Sequence, residues 1–134
     1  MKKLIKNFDK MTLDDAWREC LRMWWSLSRY PKMKKIDWLE KNYSSRGHKL
    51  HASCFFCHYD FFNGGLRGCS RCPAVLVSRE WRCSKPEICW FSHRKEFYKS
   101  LVELNKKRLE QNEKAKVEQN ARQNRRMRTS IRTV

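Results

Sequence analysis

Two Cys-x2-Cys pairs, one at Cys54 and Cys57 and the other at Cys69 and Cys72, constrain the fold of this chain more than any other sequence feature. Each such turn directs two thiolates toward one point, and two turns together complete a tetrahedron around a zinc ion. The eleven residues between the pairs include an Asn-Gly-Gly sequence at residues 63–65, where a chain readily reverses direction. The spacing therefore predicts a four-thiolate zinc site beside a short hairpin. An iron–sulfur cluster is the alternative that four thiolates also allow.

A second pattern follows, in which Cys83, Cys89 and His93 have the spacing Cys-x5-Cys-x3-His. With the aromatic pair Trp90 and Phe91 before the histidine, this segment resembles the last three ligands of a CCCH zinc finger. The resemblance implies binding of single-stranded RNA by stacking and by backbone contacts to base edges, and it predicts a second or shared metal site. The alternative is that both cysteines are small buried residues and that the histidine begins a helix.

A complete CCCH finger needs one more cysteine, and none stands at the usual distance before Cys83. Cys72 is the nearest, with ten residues between the two. If Cys72 served the second site, the first site would need His51 or His58 in its place. The two metal sites can both have four ligands only if a histidine replaces Cys72 in the first site.

The seven cysteines and the N-terminal residues bear on the cellular compartment. Residues 1–7 carry positive charge but lack the apolar run of a signal peptide, and the longest aliphatic run is residues 74–77. We therefore expect a cytoplasmic protein without a transmembrane helix. In a reducing compartment, cysteine pairs are more often metal ligands than disulfides, and the odd number of cysteines agrees with this interpretation.

The charge of the chain favours a polyanionic partner. Lys and Arg number 31 against 14 Asp and Glu, which gives a formal net charge of +17. Residues 1–50 and 105–134 each carry a net charge of +7, whereas residues 51–104 carry +3. This distribution predicts a structured centre with basic flanks, and nucleic acid is the commonest partner for such a surface.

Helix signals are clear on both sides of the cysteines. Thr12 and Asp15 form a capping box before an apolar pattern of helical spacing, which Pro31 ends. A shorter helix is predicted over residues 33–43, and a long one begins near residue 94. We therefore predict an α+β, mostly helical protein. Its regions are an N-terminal helical region (1–50), a zinc-binding module (51–93) and a C-terminal helix with an arginine-rich tail (94–134).

The tryptophans of the first two helices divide into two groups. Trp17 and Trp24 lie on the apolar stripe of the first helix, so we expect them in the core rather than as stacking surfaces for bases. Trp25 and Trp38 lie off the stripes, and the sequence leaves their role open.

The C-terminal tail is rich in arginine. Arg122, Arg125, Arg126 and Arg128 fall within seven positions, and no acidic residue follows Glu118. This composition is similar to that of the arginine-rich peptides with which some phage antiterminators bind RNA hairpins. Guanidinium groups bind phosphates and guanines, so we predict that these arginines contact nucleic acid. A solubilising tail is the alternative.

The order of these features resembles a known group of proteins. A tryptophan-bearing helix precedes the two cysteine pairs, which are followed by Pro73, Trp81, another cysteine and a lysine-rich helix. Over residues 11–109 this resembles small cysteine-rich proteins of tailed bacteriophages. The resemblance implies a zinc-stabilised protein made in the host cytoplasm, and it supplies no catalytic residues.

Three functional classes follow from these observations. Nucleic-acid binding is favoured, with RNA slightly ahead of DNA because both the CCCH-like segment and the tail favour RNA. Binding of a host protein, such as a polymerase subunit, is the alternative. A metal-dependent nuclease built on His48, His51, His58 and Asp60 ranks third, because four-thiolate sites are closed and no nucleophile with a nearby base is recognisable. We expect no enzyme activity.

Overall fold

A computed structural model describes residues 4–65 and 69–132, with side chains through residue 128. The protein consists mainly of α-helices, together with short 3-10 helices in the connecting segments. The α-helices are α1 (Leu13–Arg29), α2 (Lys35–Tyr43), α3 (Phe55–Phe62), α4 (Pro73–Val77) and α5 (Arg94–Arg132). The predicted mostly helical character is confirmed. Because the described residues contain no β-strand, the α+β class and the short hairpin are not confirmed.

Helix α1 begins where the capping box predicted. The Thr12 hydroxyl accepts a hydrogen bond from the Asp15 backbone N–H at 3.1 Å, and the Asp15 carboxylate accepts one from the Thr12 N–H at 3.3 Å. Trp17 and Trp24 are buried, which confirms the prediction that they belong to the core. Helix α1 therefore presents a largely apolar face to the rest of residues 1–104, and the buried Glu19 is the charged residue on it.

Helix α2 begins two residues later than the predicted residue 33. Its start is set by Asp37, whose carboxylate accepts a hydrogen bond from the Lys34 N–H at 2.9 Å. The turn after the helix lies close against it at Gly47, where a Cβ atom would be 2.8 Å from the Leu39 Cβ. Glycine is therefore required for this approach, which returns the chain toward the first cysteine pair.

Both cysteine pairs lie at helix starts rather than in a hairpin. Cys54 is the N-terminal cap of α3, and Cys72 directly precedes α4, which has Pro73 in its first turn. Proline suits that position because its ring presets a helical φ and its missing N–H is not needed there. Residues 66–68, where we predicted the return between the pairs, lie outside the described residues.

The chain divides into two compact units, residues 1–104 and 105–134, which we call unit 1 and unit 2. In unit 1 the first turns of α5 contribute Phe97 and Leu101 to the core. In unit 2 the same helix has an exposed surface from residue 109 to residue 128. The predicted division at residues 1–50, 51–93 and 94–134 remains a prediction. None of the described helices combines the length and apolar character needed to cross a membrane.

Candidate functional site

Six of the seven cysteines line one cavity of about 310 Å³ in unit 1. Aromatic side chains of Trp24, Trp81, Trp90 and Phe97 form part of its wall. The cysteines are Cys20, Cys54, Cys57, Cys69, Cys72 and Cys83. The fold thus brings both predicted pairs, from α3 and from the turn before α4, to one shared space.

The first pair is arranged so that one sulfur is favoured as a thiolate. The hydrogen bond from the Cys57 thiol lowers the pKa of Cys54, and the Cys57 N–H, 3.5 Å from the Cys54 Sγ, and the charge of Lys35 act in the same direction. The same hydrogen bond raises the pKa of Cys57 far above its usual range, and burial adds to this effect. Cys54 is therefore the sulfur of this pair most suited to carry negative charge.

The second pair is held by the start of α4 and by a carboxylate of α3. Burial raises the pKa of Cys72 to about 12, although the backbone N–H groups of Val75 and Ala74 oppose this shift. The Asp60 Oδ1 atom accepts a hydrogen bond at 2.6 Å from the backbone N–H of Arg71, which lies between the two cysteines. Asp60, on the helix of the first pair, thereby fixes the position of the second pair.

Three residues at the two cysteine pairs have a left-handed backbone conformation although none of them is glycine. Ala52 and Ser53, directly before the first pair, have φ values of 56° and 49°, and Cys69 has 62°. Such conformations carry a cost on the order of 1–3 kcal/mol each and are found preferentially at functional sites. They shape the two turns that bring the sulfurs to the cavity.

The cysteine chemistry suits a metal, but the side chains are not gathered around a single point. Within the described ranges, no group of three or more His, Cys, Asp or Glu side chains is close enough together to hold a metal ion. The thiols instead lie along the walls of the cavity. Thiolates are common ligands in structural zinc sites, so the donor atoms fit zinc. Because the sulfurs are spread along the walls, the walls would have to move closer together to coordinate one ion.

Two further cysteines share the cavity with the predicted pairs. Burial raises the pKa of Cys20, on α1, and that of Cys83, so both favour the neutral thiol. Cys20 lies on the buried face of α1, three residues after Trp17 and four before Trp24, and that position brings it to the cavity. A cysteine on the core face of a helix could have indicated that Cys20 belongs to the site. The same pattern is equally typical of a cysteine that only packs in the core.

The remaining residues of the CCCH-like segment lie apart from this cavity. His93 is exposed; its Nδ1 atom is 2.8 Å from the Ser92 Oγ, and its carbonyl accepts the Phe97 N–H at the start of α5. Backbone N–H groups of Phe91 and Ser92 lower the pKa of the half-buried Cys89. His93 thus has the helix-start role that we considered as its alternative, and only Cys83 of the three lines the cavity.

The histidines considered for a nuclease have structural partners. His48 Nε2 lies 2.7 Å from the Glu40 carboxylate. The buried His58 lies between the Asp9 carboxylate, 2.8 Å from its Nε2, and the His51 backbone N–H, which donates to its Nδ1 at 2.9 Å. The His58–Asp9 contact joins the N-terminal residues to α3, whereas the His48–Glu40 contact joins α2 to the turn that follows it.

The predicted tail arginines lie on the exposed part of α5 in unit 2. Arg122, Arg125 and Arg126 have the i, i+3, i+4 spacing that places side chains on one side of a helix. Arg122 makes a 3.5 Å contact with the Glu118 carboxylate, and both side chains are about two-thirds exposed. Arg128 is also exposed.

No protein-family model matches the chain, and searches of curated proteins and of solved structures find none that is significantly similar to it.

Proposed function

We propose that this protein binds nucleic acid, with RNA slightly favoured over DNA, through the arginine-rich end of α5. We further propose that Cys54, Cys57, Cys69 and Cys72 hold one zinc ion that stabilises unit 1. The first proposal concerns function and the second concerns the fold that carries it.

The charge of the last turns of α5 is the observation that carries the functional proposal. Residues 119–132 contain five arginines and no acidic residue, and those with described side chains are exposed. Helical spacing gathers three of them into a stripe, so that one nucleic-acid backbone can contact several guanidinium groups at once. Phosphates would also offset the mutual repulsion of a chain with a net charge of +17.

The preference for RNA rests on the tail. A guanidinium fork binds phosphate and guanine edges in two-point contacts, and arginine-rich segments commonly recognise RNA in this way. The CCCH-like residues add no support, because Cys83 lines the cavity whereas Cys89 and His93 lie elsewhere.

The zinc proposal is supported by the donor atoms and by their surroundings. The two pairs lie at helix starts, where backbone N–H groups point toward the sulfurs of Cys54 and Cys72. At Cys54 the net effect lowers the pKa and favours the thiolate, whereas at Cys72 burial outweighs the N–H groups and zinc would have to displace the proton. In addition, most of the accessible wall of the cavity is apolar, which resembles the surroundings of a structural site.

A salt titration with matched variants tests the functional proposal. The quadruple change of Arg122, Arg125, Arg126 and Arg128 to Gln removes four charges from an exposed helix, whereas the same four changes to Lys keep them. If each arginine contacts a phosphate, the Gln variant should reduce the slope of log affinity against log salt by about 0.7 per contact on single strands. The Lys variant should keep the slope and lose affinity for RNA more than for DNA, because two-point contacts are lost.

Three outcomes would contradict the proposal. The Gln variant would bind RNA and DNA like wild type at every salt concentration if the tail were only a solubiliser. The purified protein would bind neither polyanion at low salt if the positive charge served another purpose. Capture of a single host protein that persists after nuclease treatment, without nucleic-acid binding, would favour the host-protein alternative.

A further inference from the structure

A second basic surface lies in unit 1, at the C-terminal end of α1, and it differs from the tail because it carries aromatic rings. Trp25 is 44% exposed and Tyr30 is 56% exposed, so both rings are accessible from solution. The Arg29 guanidinium lies over the Trp25 ring, 4.3 Å from its centroid. We call these three residues the aromatic platform.

Cations from other helices lie beside the aromatic platform. A depression of about 280 Å³ is lined by Trp25, Tyr30 and Lys41 of α2, among other residues. A neighbouring depression of about 510 Å³ is lined by Arg29, Tyr30 and Lys95 of α5. Tyr30 lines both depressions, so its side chain lies between them, with Lys41 in one and Lys95 in the other.

Acidic residues are missing from this surface. Neither depression includes an Asp or Glu among its described lining residues. Along the sequence, every charged residue between Glu19 and Asp37 is basic. These residues are Arg22, Arg29, Lys32, Lys34 and Lys35. A polyanion therefore meets no carboxylate in the depressions around the platform.

Another groove with exposed aromatic rings lacks this property. Phe61 is 58% exposed and lines a groove of about 620 Å³ together with Lys6 and Lys49, but Asp9 is also part of that groove. The Phe61 ring is stacked on the His51 ring, with 4.8 Å between the centroids, just as the Trp25 ring is covered on one face by Arg29. The Asp9 carboxylate is therefore what separates this groove from the depressions around the platform. The comparison favours the aromatic platform as the surface that accepts both a negative backbone and a flat ring.

We infer that the aromatic platform binds unpaired bases of single-stranded nucleic acid, with Trp25 and Tyr30 contacting the base faces and Arg29, Lys41 and Lys95 contacting the phosphates. The inference rests on the proposed nucleic-acid binding and adds a second site with its own ligand class. Aromatic side chains stack on any base, whereas bases within a duplex cover each other's faces. The platform therefore distinguishes single strands from duplexes, which charge alone does not.

The test uses the full-length protein and three short probes of equal length. These are a uridine oligonucleotide, an abasic oligonucleotide with the same phosphate charge, and a blunt-ended duplex without a loop. Trp25→Ala should weaken binding of the uridine probe by about fivefold to tenfold, because loss of one stacked base has this order of effect. Binding of the abasic and duplex probes should remain at the wild-type level. Phe61→Ala is the matched control, and it should leave all three affinities unchanged.

A spectroscopic measurement separates stacking from loss of structure. Trp25 is the exposed tryptophan, since Trp17, Trp24, Trp38 and Trp81 are buried and Trp90 is half-buried. The uridine probe should therefore quench part of the wild-type tryptophan emission. Trp25→Phe should abolish this quenching and keep most of the affinity, because phenylalanine also stacks.

The outcomes distinguish this inference from the proposed function. If Trp25→Ala binds the uridine probe with wild-type affinity, or loses equal affinity for the uridine and abasic probes, the platform inference is overturned. The tail proposal survives either result. Absence of binding to all three probes overturns both. The platform variants could instead bind nucleic acid like wild type and lose a protein partner whose capture resists nuclease. That result would assign the surface to a protein and overturn the inference.

Discussion

The Tyr43 hydroxyl of α2 donates a hydrogen bond to the buried carboxylate of Glu19 on α1. The same hydroxyl accepts a hydrogen bond from the Ile5 backbone N–H at 3.3 Å, and Arg22 forms an ion pair with the other carboxylate oxygen. Burial raises the pKa of Tyr43 well above its usual range, and the bond to Glu19 acts in the same direction. This network joins the N-terminal residues to both helices around a charge that would be costly if it were left without partners.

Tyr43→Phe should lower the free energy of unfolding by about 1–3 kcal/mol, because it removes a donor from a buried carboxylate and keeps the ring packing. Urea denaturation measures the change. Tyr30→Phe is the control, since Tyr30 is exposed and its change should stay within about 0.5 kcal/mol of wild type. Equal stability of both variants would show that the buried hydrogen bond contributes nothing.

The capping box of α1 should give the protein a defined pH dependence. Partial burial raises the pKa of Asp15, but hydrogen bonds from the Thr12 backbone and from Arg18 outweigh it, so the net shift is downward. A carboxylate with a lowered pKa in the folded state adds stability above its unfolded pKa of about 3.9, and this stability is lost as the pH falls through the folded value.

Asp15→Ala should therefore reduce stability by about 1 kcal/mol near neutral pH, as expected for a lost capping contact. The difference from wild type should shrink in thermal melts recorded below about pH 4, where the carboxyl group becomes protonated. A difference that is the same at both pH values would contradict the assigned role of the carboxylate.

Removal of the proposed zinc should unfold unit 1. Metal binding supplies much of the folding free energy in small cysteine-rich domains, so a chelator should abolish the helical signal of this region. Because burial raises the pKa of Cys72, zinc must displace its proton, and affinity should increase with pH.

Serine variants locate the ligands. Cys57→Ser should lose zinc and melt at lower temperature, whereas Cys89→Ser should retain zinc, because Cys89 does not line the cavity. Elemental analysis and circular dichroism provide the measurements. Purified protein without zinc, or Cys57→Ser with the wild-type melting temperature, would refute the site. Bound iron with visible absorbance would instead identify an iron–sulfur cluster.

Asp60 should influence the proposed metal site without contacting it. Its carboxylate holds the backbone N–H of Arg71 and so positions the turn of the second pair. Asp60→Ala should weaken zinc binding by about tenfold, which is typical for an outer partner of a metal ligand. Asp60→Asn retains an acceptor oxygen and should restore most of the affinity in a competition assay with a chromogenic chelator. Equal affinities of Asp60→Ala and wild type would show that the turn needs no such support.

Local signals were sufficient to predict the helices that flank the cysteines. The capping box at Thr12, the proline at position 31 and the apolar periodicity of α1 act within one or two turns of chain. They therefore predicted both ends of α1 and the burial of Trp17 and Trp24. The arginines after Glu118 are likewise a property of composition, and the sequence alone identified them.

Tertiary packing decided which side chains share a site. Cys20 and Cys83 line the cavity with the two predicted pairs, whereas Cys89 and His93 do not. Spacing along the chain could not distinguish these cases, because the cavity forms where separate segments pack against one another. For the same reason Trp38 is buried while Trp25 is exposed beside basic residues. A sequence pattern records neighbours within a turn of helix, and the surface that a side chain finally faces depends on residues far along the chain.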